Sequence, residues 1–137
     1  MTDSLKELNL WTGFAPIDAE HEVQIGLMEN LERVVREGRD PEAGLRAHET
    51  LTSYLDAHFL SEQLLMRRHA YPGYEPHVRD HDRAILLMDD LRARCLRGET
   101  TLTLESLATL RGWLFDHIKS RDTELAAFLK GRGVGSS

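Results

Sequence analysis

Potential metal ligands recur at helical spacing along this chain, and this spacing constrains the fold more than any other feature of the sequence. In two places a histidine is followed four residues later by a second ligand-type residue. On an α-helix that interval puts both side chains on one face, about one turn apart. The complete set contains five imidazoles and two carboxylates, namely His21, His58, Glu62, His77, His81, His117 and Asp122. Their distribution over successive segments indicates several helices arranged around one point.

Apolar residues recur at intervals of three and four in four segments, a pattern typical of bundle helices. Asp18 is the expected N-cap of the first helix and Gly38 its C′ residue, while Asp40 caps the second helix ahead of Pro41. The predicted helices run from Asp18 to Gly38, from Pro41 to about Ala70, from Pro76 to near Gly98, and from after Thr103 to about Lys130. Short links and the lack of β-type alternation predict an all-α fold, an up-down-up-down antiparallel four-helix bundle.

The same pattern divides the chain into three parts. Residues 1–17 are predicted as an irregular N-terminal arm, residues 18–130 as the bundle, and residues 131–137 as a flexible tail. The length of 137 residues suits a single domain with a real core.

The composition argues against several classes of protein. A hydrophobic content of 41% is too high for a disordered chain, and no apolar run approaches the roughly 20 residues that span a bilayer. The net charge of −6, with acids and bases interspersed, gives no reason to expect nucleic acid or a membrane as partner. The N-terminus shows no secretion signal, and the lone Cys95 fits a reducing compartment, so a cytoplasmic location is predicted.

The polar residues on the inward stripes predict a metal centre. Burying an unpaired polar group costs several kcal/mol, and a metal would satisfy all of these groups together. Nitrogen and oxygen ligands without a thiolate suit iron or manganese. Seven ligands exceed the capacity of one ion, so two ions that share the carboxylates are expected. Five imidazoles, two bridging carboxylates and a bridging oxide or hydroxide leave one position open on two six-coordinate ions, which suggests a very small ligand such as O₂.

Six motifs together resemble the hemerythrin family, specifically the single-domain bacterial hemerythrins. The likeness extends from Ile17 to Asp122, nearly the whole chain. The motifs are Asp-x-x-His at 18–21, His-Phe-x-x-Glu at 58–62, Met66, Tyr71-Pro72, His-x-x-x-His at 77–81 and Trp-Leu-x-x-His-Ile-x-x-x-Asp at 113–122. Any one of them alone would be a weak signal, but the combination is specific.

The resemblance implies a role for each ligand. His77, His81 and His117 would hold one non-heme iron ion, and His21 and His58 the other, where the open position would lie. The two carboxylates, Glu62 and Asp122, would bridge the ions together with an oxide or hydroxide. The activity implied is reversible binding of O₂, with no catalytic residues.

The resemblance also implies a dry wall around the ligand, formed by Phe59, Trp113, Leu114 and Ile118. Gln24 departs from the family, in which a leucine is common at this position. An amide there can donate to the bound ligand, or admit water and speed oxidation of the iron. Gln63 stands where the family often has a second acid, but it lies off the inward stripe.

Three functions are compatible with this site. The first is an O₂-binding protein that acts as carrier, store or scavenger, and the second is a di-iron peroxidase or oxidase that uses the same open position. The third is an iron-storage or O₂/iron-sensing module. The expected partner is dioxygen, with peroxide as the alternative, and the chain is predicted to be a monomer or a weak homo-oligomer.

Several other polar residues near the motifs are interpreted as ordinary structure. His48 and His69 lie ten and eleven residues from His58, too far along a helix to reach the same metal pair, and are predicted at the bundle ends. Adjacent residues on a helix point in different directions. Three acids beside the ligand histidines are therefore read as solvated surface charges and not as acceptors for those histidines: Asp80, Asp82 and Asp116. Cys95 is read as a buried small hydrophobic residue. Tyr54 is read as core packing, with donation to a group of the site as the alternative.

The fourth helix contains a break in register. Its inward stripe of Leu107, Leu110, Leu114 and His117 would continue to Arg121, but the ligand is Asp122. On a regular helix Asp122 would lie about 140° round from His117. The sequence predicts a π-bulge or overwound turn between them, because the stripe resumes one residue late. The alternative is that Asp122 reaches round from a regular helix.

Overall fold

The computed structural model describes residues 4–38 and 40–134. Within these residues the chain is helical and contains no β-strand. The elements are α1 (Ser4–Glu7), α2 (Ala15–Glu37), α3 (Pro41–Arg68), α4 (Tyr74–Leu96), α5 (Leu104–His117), a π-helix (Ile118–Asp122) and α6 (Thr123–Gly131). Each long helix packs against the next, and α5 also packs against α2, which closes a four-helix bundle. None of the described helices is both long and apolar enough to cross a membrane.

Local signals in the sequence explain three of the helix ends. The Asp40 side chain accepts a hydrogen bond from the Glu42 N–H at 3.0 Å, as expected for the N-cap of α3. Gly38 follows α2 with a φ of 61°, a left-handed conformation that favours glycine. Thr103 and Ser106 form a reciprocal capping box at the start of α5.

The predicted start of the first long helix at Asp18 is wrong, because α2 begins at Ala15 and Asp18 lies in its first turn. Pro16 fits that turn, whose N–H groups have no partner within the helix. The Asp18 carboxylate turns back to the preceding segment instead of capping the helix. It accepts hydrogen bonds from the Thr12 N–H at 2.9 Å, the Thr12 hydroxyl at 2.7 Å and the Gly13 N–H at 2.9 Å.

The N-terminal arm is more ordered than predicted. It contains the short helix α1, and Leu5 and Leu10 are buried against Ile25 of α2 and Ile118 of the π-helix. At the other end, Val134 donates its N–H to the carbonyl of Leu129 at 3.0 Å, so the chain remains in a turn beyond α6. The rest of the predicted tail, residues 135–137, lies outside the described residues.

A π-helix is present at the predicted break in register. The Thr123 N–H bonds to the Ile118 carbonyl, five residues earlier. The apolar stripe resumes on the shifted register, where Leu125, Ala126 and Leu129 are buried. The prediction of a bulge is confirmed, and the alternative of a regular helix is wrong.

Two apolar clusters enclose a polar layer in the bundle. The larger cluster lies toward one end and includes Met28, Leu31, Leu51, Leu55, Phe59, Ala84, Met88, Leu107, Leu110 and Leu114. The smaller cluster lies toward the other end and consists of Phe14, Ile17, Met66, Leu125, Ala126 and Leu129. The seven ligand-type histidines and acids lie beside or between residues of these clusters on all four long helical segments.

Candidate metal centre

All seven of the predicted ligand-type residues converge in the polar layer. They form two overlapping groups in which the candidate ligand atoms lie within 4.8 Å of one another, and every member is buried. The three-histidine group is Glu62, His77, His81, His117 and Asp122. The two-histidine group is His21 and His58 with the same two carboxylates.

Glu62 presents one oxygen to each group. Its Oε1 atom lies 3.2 Å from Nε2 of His77 and 3.0 Å from Nε2 of His81. Its Oε2 atom lies 3.2 Å from Nε2 of His58. The carboxylate therefore stands between the two sets of imidazoles.

Asp122 also presents one carboxylate oxygen to each group. Its Oδ1 atom lies 3.0 Å from Nε2 of His77 and 3.2 Å from Nε2 of His117. Its Oδ2 atom lies 2.8 Å from Nε2 of His21. The shifted register of the π-helix makes this possible, because it turns Asp122 toward the bundle axis.

Several polar atoms at the centre are buried and lack a hydrogen bond within the part of the chain that the structure describes. They are Nε2 of His58, Nε2 of His117, Oε2 of Glu62 and Oδ1 of Asp122, whose mutual contacts are close but outside hydrogen-bond geometry. A buried polar group left unpaired costs about 1–3 kcal/mol. Cations among these atoms would satisfy them together, and a set of nitrogen and oxygen donors without sulfur suits iron or manganese.

The electrostatics of the centre without a cation favour protons on some of the imidazoles. Burial opposes ionisation, but the Glu62 and Glu20 carboxylates raise the pKa of His58 to about 10. In the same way, contacts with Asp122 and Glu62 outweigh burial and raise the pKa of His77 to about 9. Burial dominates at His81 and lowers its pKa. A metal ion must displace these protons when it binds.

The two acids remain ionised despite being buried. Burial alone would raise the pKa of each carboxyl group, but His58 and His77 hold the pKa of Glu62 well below its usual value. His117, His21 and His77 do the same for Asp122. The centre thus offers two negative charges to a cation, which is the charge that bridging ligands supply.

Three histidines contact polar side chains through their second ring nitrogen. Nδ1 of His58 lies 2.5 Å from Oε1 of Glu20, and Nδ1 of His81 lies 3.1 Å from Oε1 of Gln63. Nδ1 of His117 lies 3.5 Å from Oδ2 of Asp80. The first two contacts are hydrogen bonds, and such a partner at Nδ1 directs Nε2 toward a metal and orients the ring. The contact of Asp80 with His117 lies outside hydrogen-bond geometry and is electrostatic.

These outer contacts were the part of the site that sequence reasoning missed. Asp80 is not simply a solvated charge, and Gln63 is not without consequence, because each reaches a histidine on another helix. Glu20 carries no signal in the sequence, since its partner is on α3 and not its neighbour His21. Asp82 and Asp116 are exposed, as predicted.

Tyr54 contacts the Glu20–His58 pair. Its hydroxyl donates to the backbone carbonyl of Glu20 at 3.0 Å, and its ring lies parallel to that of His58 with centroids 6.2 Å apart. Tyr54 therefore supports the Glu20–His58 pair, which favours the alternative to core packing.

The predicted wall residues are placed unevenly around the centre. Phe59 stacks on His81 with ring centroids 4.0 Å apart, and Trp113 stacks on His117 at 5.2 Å, so both face the three-histidine group. Leu114 is buried in the larger apolar cluster, and Ile118 packs against the N-terminal arm. Gln24 points inward as expected, since its side chain is 2% exposed, and its Oε1 atom has no partner. Lining of a ligand pocket by these five residues stays a prediction.

The remaining histidines lie outside both groups, in agreement with the sequence. His69 is partly buried at the C-cap of α3. His48 is fully buried near the start of α3, and neither of its ring nitrogens has a hydrogen-bond partner among the described residues. Burial, followed by the charge of Arg92, lowers the pKa of His48, so the ring is neutral.

Comparisons with known proteins agree with this architecture. Residues 12–129 match the family model described as the hemerythrin HHE cation binding domain. A bacteriohemerythrin from Methylococcus capsulatus is 27% identical over 122 residues, which cover 89% of this chain and 91% of the relative. One from Pseudomonas paraeruginosa is 32% identical over 114 residues, covering 83% and 73%.

Solved structures share the fold. A crystal structure of wild-type hemerythrin superposes with a TM-score of 0.82 at 23% identity, covering 93% of this chain and 95% of that one. The family match extends over most of the chain and includes all seven residues of the two buried groups. The chain therefore belongs to the hemerythrin family, as a bacterial hemerythrin.

Proposed function

We propose that this chain is a non-heme di-iron protein that binds O₂ reversibly at one open iron position. The observation that carries the proposal is that each of the two buried carboxylates faces both histidine groups. Glu62 and Asp122 each turn one oxygen toward the three-histidine group and the other toward the two-histidine group. Two acids arranged in this way suit a pair of ions, because a single ion in one group would leave the other oxygen of each carboxylate without a cation.

The residues of the two groups have distinct roles in this proposal. His77, His81 and His117 would hold one iron, His21 and His58 the other, and Glu62 and Asp122 would bridge. When bound, the iron pair supplies two exchangeable electrons and the position at which O₂ is taken up. The chain supplies fixed imidazole orientations, since stacking on Phe59 and Trp113 restricts rotation of the His81 and His117 rings. It also supplies a site without bulk water, because every ligand is buried.

The test is metal analysis combined with an absorption spectrum of the purified protein in air, before and after dithionite. We expect two irons per chain, a coloured oxygenated or oxidised form, and loss of colour on reduction. Cycles of vacuum and air should then bleach and restore the colour. One metal per chain, or mainly zinc, would contradict the proposal.

A second function is favoured by Gln24. A buried amide whose oxygen is unpaired makes this side of α2 more polar than an apolar residue would. A polar pocket eases entry of water and delivery of protons, which suits a di-iron peroxidase or oxidase that uses the same position. Steady consumption of hydrogen peroxide would support the enzyme, whereas reversible bleaching without turnover would support the carrier, store or scavenger. The cytoplasmic location and the monomeric or weakly oligomeric state stay predictions.

A further inference from the structure

One carboxylate oxygen of α4 contacts both ends of the turn that contains the π-helix. Oδ2 of Asp80 lies 3.5 Å from Nδ1 of His117, the last residue of α5, and 2.9 Å from Nε of Arg121. Arg121 itself is the fourth residue of the π-helix and immediately precedes Asp122. Asp80 thus touches a member of the three-histidine group and the neighbour of a shared carboxylate.

The contact with Arg121 depends on the register of the π-helix. On a regular α-helix residue 121, four positions after His117, would share its inward face, and Asp122 would lie about 140° away. The wider turn exchanges these positions. Asp122 is fully buried in the centre, and the Arg121 side chain is 39% exposed beside α4. In the regular register Arg121 would turn inward, and Asp122 would leave the centre.

Two hydroxyls add to the bonding around the same turn. The Thr123 hydroxyl donates to the carbonyl of Ile118 at 3.0 Å, and the Ser120 hydroxyl donates to the carbonyl of Asp116 at 2.8 Å. Both bonds are local to the segment. The Asp80–Arg121 pair is different, because it ties the π-helix to another helix of the bundle.

We propose that Asp80 is a positioning residue that holds the π-helix in the register that turns Asp122 into the metal centre. Its negative charge would face Nδ1 of His117 at the same time. The proposal rests on the proposed function, in which Asp122 and His117 bind iron. Asp80 touches no metal in this scheme and acts through these two residues.

The competing explanation is an ordinary exposed ion pair, which contributes little to stability wherever it lies. The chain offers a matched control for it. Arg92 of α4 and Glu49 of α3 form an exposed pair at 3.2 Å, away from both histidine groups. If the Asp80–Arg121 pair is a plain ion pair, its loss should have the same small effects as loss of the Arg92–Glu49 pair. If Asp80 is a positioning residue, its loss should weaken metal binding far more than it lowers the melting temperature.

The experiment compares Asp80→Ala, the milder Asp80→Asn and the control Arg92→Gln with the wild-type chain. Binding of ferrous iron is measured without oxygen, by competition with a colorimetric chelator. Hydrogen exchange of the amides of residues 118–123 is measured on the metal-free proteins. Removal of an outer-shell partner commonly costs a factor of about 10–100 in metal affinity.

We expect both Asp80 variants to bind iron about 10–100-fold more weakly and to exchange these amides faster, with melting temperatures close to that of Arg92→Gln. Affinity within twofold of wild type together with unchanged exchange overturns the proposal, as does a parallel fall of affinity and melting temperature. If Asp80→Ala does not fold, Asp80→Asn decides. A wild-type chain that binds no iron pair refutes the proposed function, but the exchange measurement still decides whether Asp80 holds the register.

Discussion

Nδ1 of His58 lies 2.5 Å from Oε1 of Glu20, although the two residues are 38 positions apart and belong to different helices. The Ser61 hydroxyl also donates to the other oxygen of Glu20, at 3.3 Å. With a carboxylate on Nδ1, the N–H of the ring is directed outward and Nε2 faces Glu62. Glu20 thus determines how His58 is presented to a cation.

Replacement of Glu20 should weaken metal binding in the two-histidine group. We expect Glu20→Gln to lower the apparent affinity for iron about tenfold and Glu20→Ala to lower it further, because His58 loses its charged acceptor. Chelator competition measures the affinity. Glu29→Gln is the control, since Glu29 is exposed on the same helix. Equal affinities for Glu20→Ala and Glu29→Gln would exclude this role.

Replacement of Glu62 should affect both ions at once. Glu62 contacts His58 in one group and His77 and His81 in the other. Glu62→Ala is therefore expected to lower the iron content from two per chain to less than one. His48→Ala should leave it unchanged, because His48 lies outside both groups. Elemental analysis of the purified variants measures this, and retention of two irons by Glu62→Ala would contradict it.

The metal-free protein should lose stability as the pH rises above neutral. The folded-state pKa of His58 is raised to about 10 and that of His77 to about 9, above the value of 6.5 that applies when the chain is unfolded. Their contribution to the free energy of unfolding is complete below pH 6.5 and is lost as the pH passes through about 9–10.

Urea unfolding at several pH values between 6.5 and 10 measures this loss. Glu62→Gln is the control, because it removes a carboxylate that raises both pKa values, and its stability should depend less on pH in this range. A wild-type unfolding midpoint that stays constant, or that rises with pH, would disprove the assignment of protons to His58 and His77.

Replacement of Gln24 by leucine separates the carrier from the catalyst. The amide is buried with its oxygen unpaired, so Gln24→Leu should raise the free energy of unfolding by about 1 kcal/mol. If the amide mainly admits water, the change should also slow autoxidation of the iron to the oxidised (met) form and lower any peroxidase rate. If it donates to the bound ligand, release of O₂ should become faster instead.

Stopped-flow release of O₂ and the rate of autoxidation measure the two cases, and we favour slower autoxidation. Val23→Ala provides the control, since Val23 is the exposed neighbour of Gln24. If neither rate changed in Gln24→Leu, Gln24 would not be a pocket residue.

The helices and the convergence of seven side chains could be predicted because apolar and ligand-type residues recur in the sequence at helical spacing. His58 and Glu62 replace apolar residues on an inward stripe, and the late resumption of the stripe at Leu125 indicates the π-helix. Contacts between helices could not be predicted in this way. Glu20 and Asp80 reach histidines on other helices, and which atoms meet there depends on the relative height of the helices in the bundle.

The start of α2 was mispredicted for a related reason. Asp18 has the residue type and position of an N-cap, but its carboxylate is used by Thr12 and Gly13 of the N-terminal arm. A side chain with two possible partners cannot be assigned from local preference alone. The Asp18 carboxylate bonds to the arm because the arm offers three hydrogen-bond donors, whereas a helix N-terminus offers a capping side chain one or two.

The contact between His21 and Asp122 at 2.8 Å closes a loop of 101 positions. A contact over that separation forms late in folding, because the entropic cost of closing the loop precedes the favourable contacts that the closed loop makes. Asp122 therefore cannot meet both sets of imidazoles in a partly made chain, whereas Glu62 needs only His58, His77 and His81 to do so. During synthesis the centre stays incomplete until Asp122 and the helix that anchors it have left the ribosome. Because Asp122 belongs to both groups, cations that need either group complete would bind only after the last helix has joined the bundle.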